Sequence, residues 1–207
     1  MDHKLNLYFM GPFSWSLLDE DAPCVFNSQI SLSPGIYLWT IPTSEGELVY
    51  YVGETGRDLQ SRMTEHLSCQ LSGMYKIYDP SLFLTGKKKL LWGGMFGRTK
   101  ERSLAEFLRK LPDLGNAIVE FVHLFHFHLA ALECENLLRK RVEAAIADHF
   151  YAQDGVVGEF QDDDIRYDRS FPSEDSITVK CRSSVLIRGF PDTLVVGHRV
   201  KSSPTTG

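Results

Sequence analysis

The chain has 207 residues, of which 43% are hydrophobic and 24% charged, with a formal net charge of -5. That balance belongs to an ordinary folded domain and argues against a fibre, a wholly disordered chain or a sequence-blind coat for DNA. No stretch approaches the roughly eighteen continuous apolar residues of a membrane span, and residues 1–10 lack the basic start and long apolar run of a secretory signal, so a cytoplasmic protein with no membrane partner is expected.

A chain of this length can form one domain or a smaller domain with a sizeable appendage, and the second is favoured here. Residues 1–32 are expected to be an extension that packs on the core. The first clear element is a β-hairpin: residues 36–41 and 48–52, rich in aromatic and β-branched side chains, flank the turn-forming Pro42-Thr43-Ser44-Glu45-Gly46. Alternation puts Tyr37 with Trp39 on one face of the first strand, and Val49 with Tyr51 on one face of the second. Gly53, lacking a Cβ, would let the strand end turn sharply.

After Thr55-Gly56, the four-residue recurrence of Leu59, Met63 and Leu67 predicts a helix with a buried stripe. Arg62 and His66 share that spacing, so their side chains can converge on one object. Residues 73–97 show no clear period, although Trp92-Gly93-Gly94-Met95-Phe96 suggests an aromatic loop or short strand.

Ser103 and Glu106 read as a capping box opening a helix whose apolar face is Leu104, Phe107, Leu108 and Leu111, and Pro112 is expected to stop it. Residues 117–127 alternate and predict a third strand. A long helix is expected from Leu129 to about Phe150, with Ala131, Cys134, Leu138, Val142 and Ala145 on its apolar side. From Asp154 an aspartate-rich loop leads to two β-like runs, 176–186 and 193–200, and to a polar tail, 201–207, that is expected to be mobile.

Charge is unevenly spread. Lys87, Lys88, Lys89, Arg98, Lys100, Arg102, Arg109 and Lys110 are opposed in their stretch only by Glu101 and Glu106, and an insertion there could grip a nucleic-acid backbone. His126 and His128 would share a strand face. With no cysteine pair nearby, they and His123 read as sheet-surface residues rather than zinc ligands. Cys24, Cys69, Cys134 and Cys181 are widely scattered, which suits reduced, buried thiols.

Gly35-Ile36-Tyr37, then Tyr51-Val52-Gly53 after a short hairpin, then Arg62 and His66 on one helix, resemble the GIY-YIG nuclease family. Each three-residue word is weak alone; their order, hairpin context and the following Arg-x-x-x-His are together specific. The resemblance covers residues 33–67 and resumes around Arg141-Val142-Glu143. It implies an α/β (α+β) fold, a small mixed or antiparallel sheet flanked by helices. The nuclease-like domain would span 33–153 with an insertion at about 73–113, followed by a C-terminal β extension, 154–207.

The resemblance also implies a metal-dependent endonuclease that hydrolyses nucleic-acid phosphodiesters, DNA ahead of RNA, with one Mg²⁺ or Mn²⁺. Glu143 would hold the ion, with Glu133 and Glu135 as alternatives. Arg62 would hold the scissile phosphate through its planar donors, and His66 would contact the phosphate or assist proton transfer. Tyr37 or Tyr51 would help deprotonate the attacking water. Tyrosine titrates near about 10 and histidine near about 6.5, so which of Tyr37, Tyr51 and His66 acts as base stays open. Gly53, Lys87, Lys88, Lys89 and Arg98 are expected on the substrate-binding surface.

Two features pull the other way. Glu54 stands where many relatives carry lysine, and Glu135, Arg139 and Glu143 are spaced as a ladder of surface ion pairs. They keep open a second reading: the same fold binding nucleic acid or a partner protein without catalysis.

Overall fold

The computed structural model describes residues 3–16, 22–96, 100–162 and 175–197, with side chains from Ser103 onward in the third of these stretches. Strands β2 (Gly35–Thr43) and β3 (Gly46–Thr55) form the expected hairpin. Gly46, at φ +107°, closes its turn, and the Thr43 hydroxyl donates to the Gly46 carbonyl at 2.6 Å. Strand β3 does not end at Gly53 but continues to Thr55.

The hairpin carries a β-bulge that simple alternation does not anticipate. Trp39 pairs with Tyr51 and Thr40 with Val49, leaving Tyr50 as the extra residue. The side-chain order of β3 therefore changes at that point. Val49 faces the opposite side of the sheet from Tyr51, and Tyr50 and Tyr51 both join the cluster that contains Tyr37 and Trp39.

Strand β1 (His3–Phe13), strand β6 (His126–Ala131), and strands β7 (Ile177–Ser183) and β8 (Thr193–Val196) complete a six-stranded sheet in the order β3-β2-β6-β1-β7-β8. Its pairings are antiparallel except β1 with β7. The fold is thus mixed α/β with a mostly antiparallel sheet. One sheet takes strands from the N-terminal stretch, the middle of the chain and the C-terminal stretch alike. The region without a clear period forms a two-stranded sheet, β4 (Lys76–Tyr78) with β5 (Leu90–Gly93), and a short helix α2 (Pro80–Phe83).

Helix α1 (Leu59–Leu71) forms as expected. Helix α3 does not. It runs from Lys100 to His123, so Ser103 is inside it and buried, Pro112 does not stop it, and the strand expected over 117–127 is helix up to His123. A proline within a helix costs about 3 kcal/mol. Beyond it, however, Leu114, Ile118, Phe121 and Val122 are buried at helical spacing, each contributing roughly 2 kcal/mol, so continuing the helix wins. The buried stripe starts at Phe107, while Leu104 and Leu108 are 48% and 57% exposed.

The third strand is β6, which overlaps the end of the strand expected over 117–127 and runs into the stretch expected to open the long helix, and helix α4 begins only at Asn136 and ends at Tyr151. Its buried side is Arg139, Arg141, Val142, Ala144, Ile146, Ala147 and Phe150. A short helix α5 (Val156–Glu159) follows.

The sheet separates two apolar clusters. On one side Tyr37, Trp39, Tyr50 and Phe127 pack with Met63 of α1 and Phe121 of α3; on the other Ile36, Leu38, Val49 and Val52 pack with Val142 and Ile146 of α4. His126 and His128 share a face of β6, as expected, but that face is covered. His126 Nδ1 donates to Glu47 Oε1 at 2.9 Å, Thr40 Oγ1 donates to Glu47 Oε2 at 2.7 Å, and His128 is fully buried. Burial alone would raise the Glu47 pKa, but the bonds it accepts hold it down at about 2. Cys24 and Cys181 are buried thiols, whereas Cys69 and Cys134 are half-buried. Among the described residues no helix is long and apolar enough to cross a membrane.

Candidate functional site

The hairpin and α1 present their polar groups to one another on the first side of the sheet. Asp58 caps α1, accepting from Ser61 N at 2.6 Å and from Ser61 Oγ at 2.9 Å, and this fixes where the helix starts. Leu59 and Met63 then anchor it in the core, which turns Arg62 and His66 toward the strands.

The hydroxyl of Tyr37 is the meeting point. Arg62 Nε donates to it at 3.2 Å, and His66 Nε2 lies 2.7 Å from it. His66 Nδ1 is in turn 2.8 Å from the Tyr75 hydroxyl. In the tautomer whose Nε2 accepts from the Tyr37 hydroxyl, the His66 Nδ1 carries the proton and donates it to Tyr75. Arg62, Tyr37, His66 and Tyr75 thus form one continuous hydrogen-bonded chain.

Gly53 makes that geometry possible. It pairs across the hairpin with Tyr37, and a Cβ there would stand 2.3 Å from Tyr37 Cζ and 2.4 Å from its hydroxyl oxygen. Its place in the site is therefore to leave room for the Tyr37 phenol, which corrects the expectation of a strand-end turn. Gly53→Ala is expected to destabilise the fold by roughly 1–3 kcal/mol through overpacking, and to pull the hydroxyl away from Arg62 and His66. Urea denaturation reads the first effect, and an unchanged midpoint would show that the ring can simply move aside.

Electrostatics set the protonation states. Burial, aided by the Arg62 charge, lowers the His66 pKa to about 3, so the imidazole is neutral around pH 7. Burial raises Tyr37 well above the usual phenol value, with Tyr51 adding to it. Burial and the Glu143 charge raise Tyr51 to about 12. Burial opposes ionisation of Arg62 too, but Tyr37 and Glu65 more than compensate, and its pKa is raised. Around pH 7 the Arg62 cation thus stands beside neutral Tyr37, Tyr51 and His66, with the carboxylate of Glu65 paired to it.

Glu143 lies on α4, across the edge strand β3, half-buried and near enough for its charge to act on Tyr51. Glu133 and Glu135 are both exposed. The surface ladder through Arg139 is not what forms, because Arg139 is buried and its Nε donates to Glu54 Oε2 at 2.7 Å, with further bonds to Cys134 O and Asn136 Oδ1. Glu54 is therefore neutralised by a cation that ties β3 to α4.

In front of Tyr51, Arg62 and His66 opens a cavity of about 520 Å³, also lined by Trp39, Tyr75 and Phe96. Tyr37 sits behind it. A second cation lines it, Lys76, paired with Asp162 at 3.2 Å, and composition alone gave no reason to single out either residue. The lysine run lies elsewhere: Lys88 Nζ donates to Gln161 O at 2.7 Å, Lys89 pairs with Asp79 at 3.2 Å, and Lys87 is exposed. Arg98 falls outside the described residues.

No group of three or more His, Cys, Asp or Glu side chains able to hold a metal occurs among the described residues. Glu143 is not among the residues that line the cavity, so a divalent ion on it would draw the rest of its coordination from water and substrate oxygens, a mode that Mg²⁺ commonly adopts. The chain matches no protein-family model, no curated protein and no solved structure.

Proposed function

We propose that the chain is a metal-dependent endonuclease of the GIY-YIG kind, hydrolysing phosphodiester bonds of nucleic acid, DNA ahead of RNA. The observation that carries this reading is the Tyr37 hydroxyl bonded to both Arg62 and His66, behind a cavity that Tyr51, Arg62 and His66 line. A hydroxyl buried this deeply needs polar partners, and here both come from the helix whose Arg62 and His66 line the cavity.

Arg62 uses its Nε on Tyr37 and its Nη1 on Glu65, at 3.1 Å, and its planar guanidinium also lines the cavity, where it can meet a phosphate oxygen. A fixed, permanently charged donor of this kind stabilises negative charge as it builds on the phosphate. Mg²⁺ or Mn²⁺ on Glu143 would supply Lewis-acid charge to the same phosphate. Of the three candidate bases, His66 is held neutral by burial and is committed to Tyr37 and Tyr75, and Tyr37 is shut off from the cavity. Tyr51 lines the cavity, and part of what raises its pKa is the Glu143 charge, which a cation would cancel.

Incubation with Mg²⁺ or Mn²⁺ and a panel of DNA and RNA substrates tests the reading. Cutting is expected, falling at least about 100-fold in Glu143→Gln, together with calorimetric Mn²⁺ binding that the variant loses. Absence of cutting on every substrate, with no Mn²⁺ binding, would sink it. One observation favours the rival, a non-catalytic binding module: in the free protein none of Tyr37, Tyr51 and His66 titrates near neutrality. Saturable nucleic-acid binding without cutting at any metal concentration would establish that reading instead.

A further inference from the structure

We infer that the cavity beside Arg62 is a pocket for one unpaired nucleobase, so that the substrate is single-stranded or presents the reacting nucleotide turned out of its stack. The inference rests on the nuclease reading in taking Arg62 as the group that meets the phosphate. Size is the first argument. About 520 Å³ lies within the usual range for small-ligand pockets, enough for one nucleotide and far too little for a duplex.

The walls are the second. Tyr75 and Phe96 are stacked, with ring centroids 5.5 Å apart and planes 26° from parallel, yet Phe96 remains 63% exposed. Tyr75 is the fixed member of the pair, because its hydroxyl is bonded to His66 at 2.8 Å. An aromatic platform that is rigid beneath and open above suits a base, whose flat face covers exposed ring area whatever its sequence. Trp39 and Tyr51 line the same cavity. Gly94, with φ +75°, also lines the cavity, and a Cβ there would stand 2.8 Å from Met74 O, so the backbone that leads to Phe96 packs directly on the segment bearing Tyr75.

The polar groups are the third. Arg62 offers a cation to the phosphate, while Lys76 and Asp162, 3.2 Å apart, set a donor beside an acceptor. The edge of an unpaired base shows the same mixture of donors and acceptors, and inside a duplex that edge is already satisfied by its partner. A recessed aromatic cavity of this kind gives a fully paired strand nothing to insert.

The test measures binding in EDTA at fixed salt, so that it does not depend on cutting. The probes are an oligonucleotide carrying 2-aminopurine, single-stranded, and the same strand in a perfect duplex. The single strand is expected to bind at least about tenfold tighter, with a change in 2-aminopurine fluorescence on binding. Phe96→Ala should weaken it about tenfold and Phe96→Trp should restore it, both folding normally because the side chain is exposed. Equal affinity for the two probes, or an indifferent Phe96→Ala, overturns the pocket. Stacking without cutting once metal is added would leave the pocket and remove the nuclease. Cutting of a perfect duplex that Phe96→Ala leaves unchanged would do the reverse.

Discussion

Arg62→Ala is expected to lower kcat/KM for metal-dependent cleavage by about 10³-fold, with little change in the melting temperature. Removing a single preorganised donor from a developing oxyanion typically costs about 10²–10³-fold, and here the same side chain also fixes the Tyr37 hydroxyl. The structural cost should stay small. The Glu65 partner is 43% exposed, and Tyr37 keeps its bond to His66. Arg62→Lys would keep the charge but lose the fork, and an intermediate rate is expected from it. Steady-state kinetics beside a thermal melt separate these cases: an active Arg62→Ala protein contradicts the site, and a variant that unfolds makes Arg62 a structural residue.

The second large effect concerns acid. His66 has a folded pKa of about 3 against an ordinary value of 6.5. Below about 6.5 the unfolded chain gains a proton that the folded protein refuses, so the stability His66 contributes is complete above that pH and is lost as pH falls toward 3. Each pH unit within the window removes up to about 1.4 kcal/mol, or roughly 2 kcal/mol between about pH 6.5 and pH 5. Glu47 does not interfere there, because its own loss, from 4.5 down to about 2, lies at lower pH. Urea denaturation at about pH 7.5 and pH 5 should show the drop in the parent and a flatter response in His66→Gln; equal slopes in the two proteins would mean that His66 protonates freely in the fold.

The hairpin and α1 were legible in the sequence because β-rich runs flank a turn ending in Gly46 and because Leu59, Met63 and Leu67 recur at helical spacing after Thr55-Gly56. That part holds Tyr37, Tyr51, Arg62 and His66, and so most of the site. Residues 117–127 misled because they carry two periods at once: local alternation suggests a strand, but the buried members, Ile118, Phe121, Val122 and Phe125, recur at helical intervals. The burial of that stripe, not the local propensity of Pro112, sets the length of α3. The bulge at Tyr50 was invisible because a register shift belongs to two strands together. Tyr75, Lys76 and Phe96 escaped for a related reason, since only the folding of β4 and β5 beside α1 gives those loop residues a common cavity.

The place of β1 within the sheet bears on the order in which the molecule assembles. Residues 35–71 contain the hairpin and α1, so Tyr37, Arg62 and His66 can meet through contacts between near neighbours in the chain. The N-terminal strand must wait, because its partners are β6 and β7, pairing Met10 with Leu129 and His3 with Ile177. Closing such long loops is slow. On the ribosome β1 therefore emerges well before the strands it pairs with, and the segment bearing the tyrosines and the arginine can be in place before the sheet around it is whole.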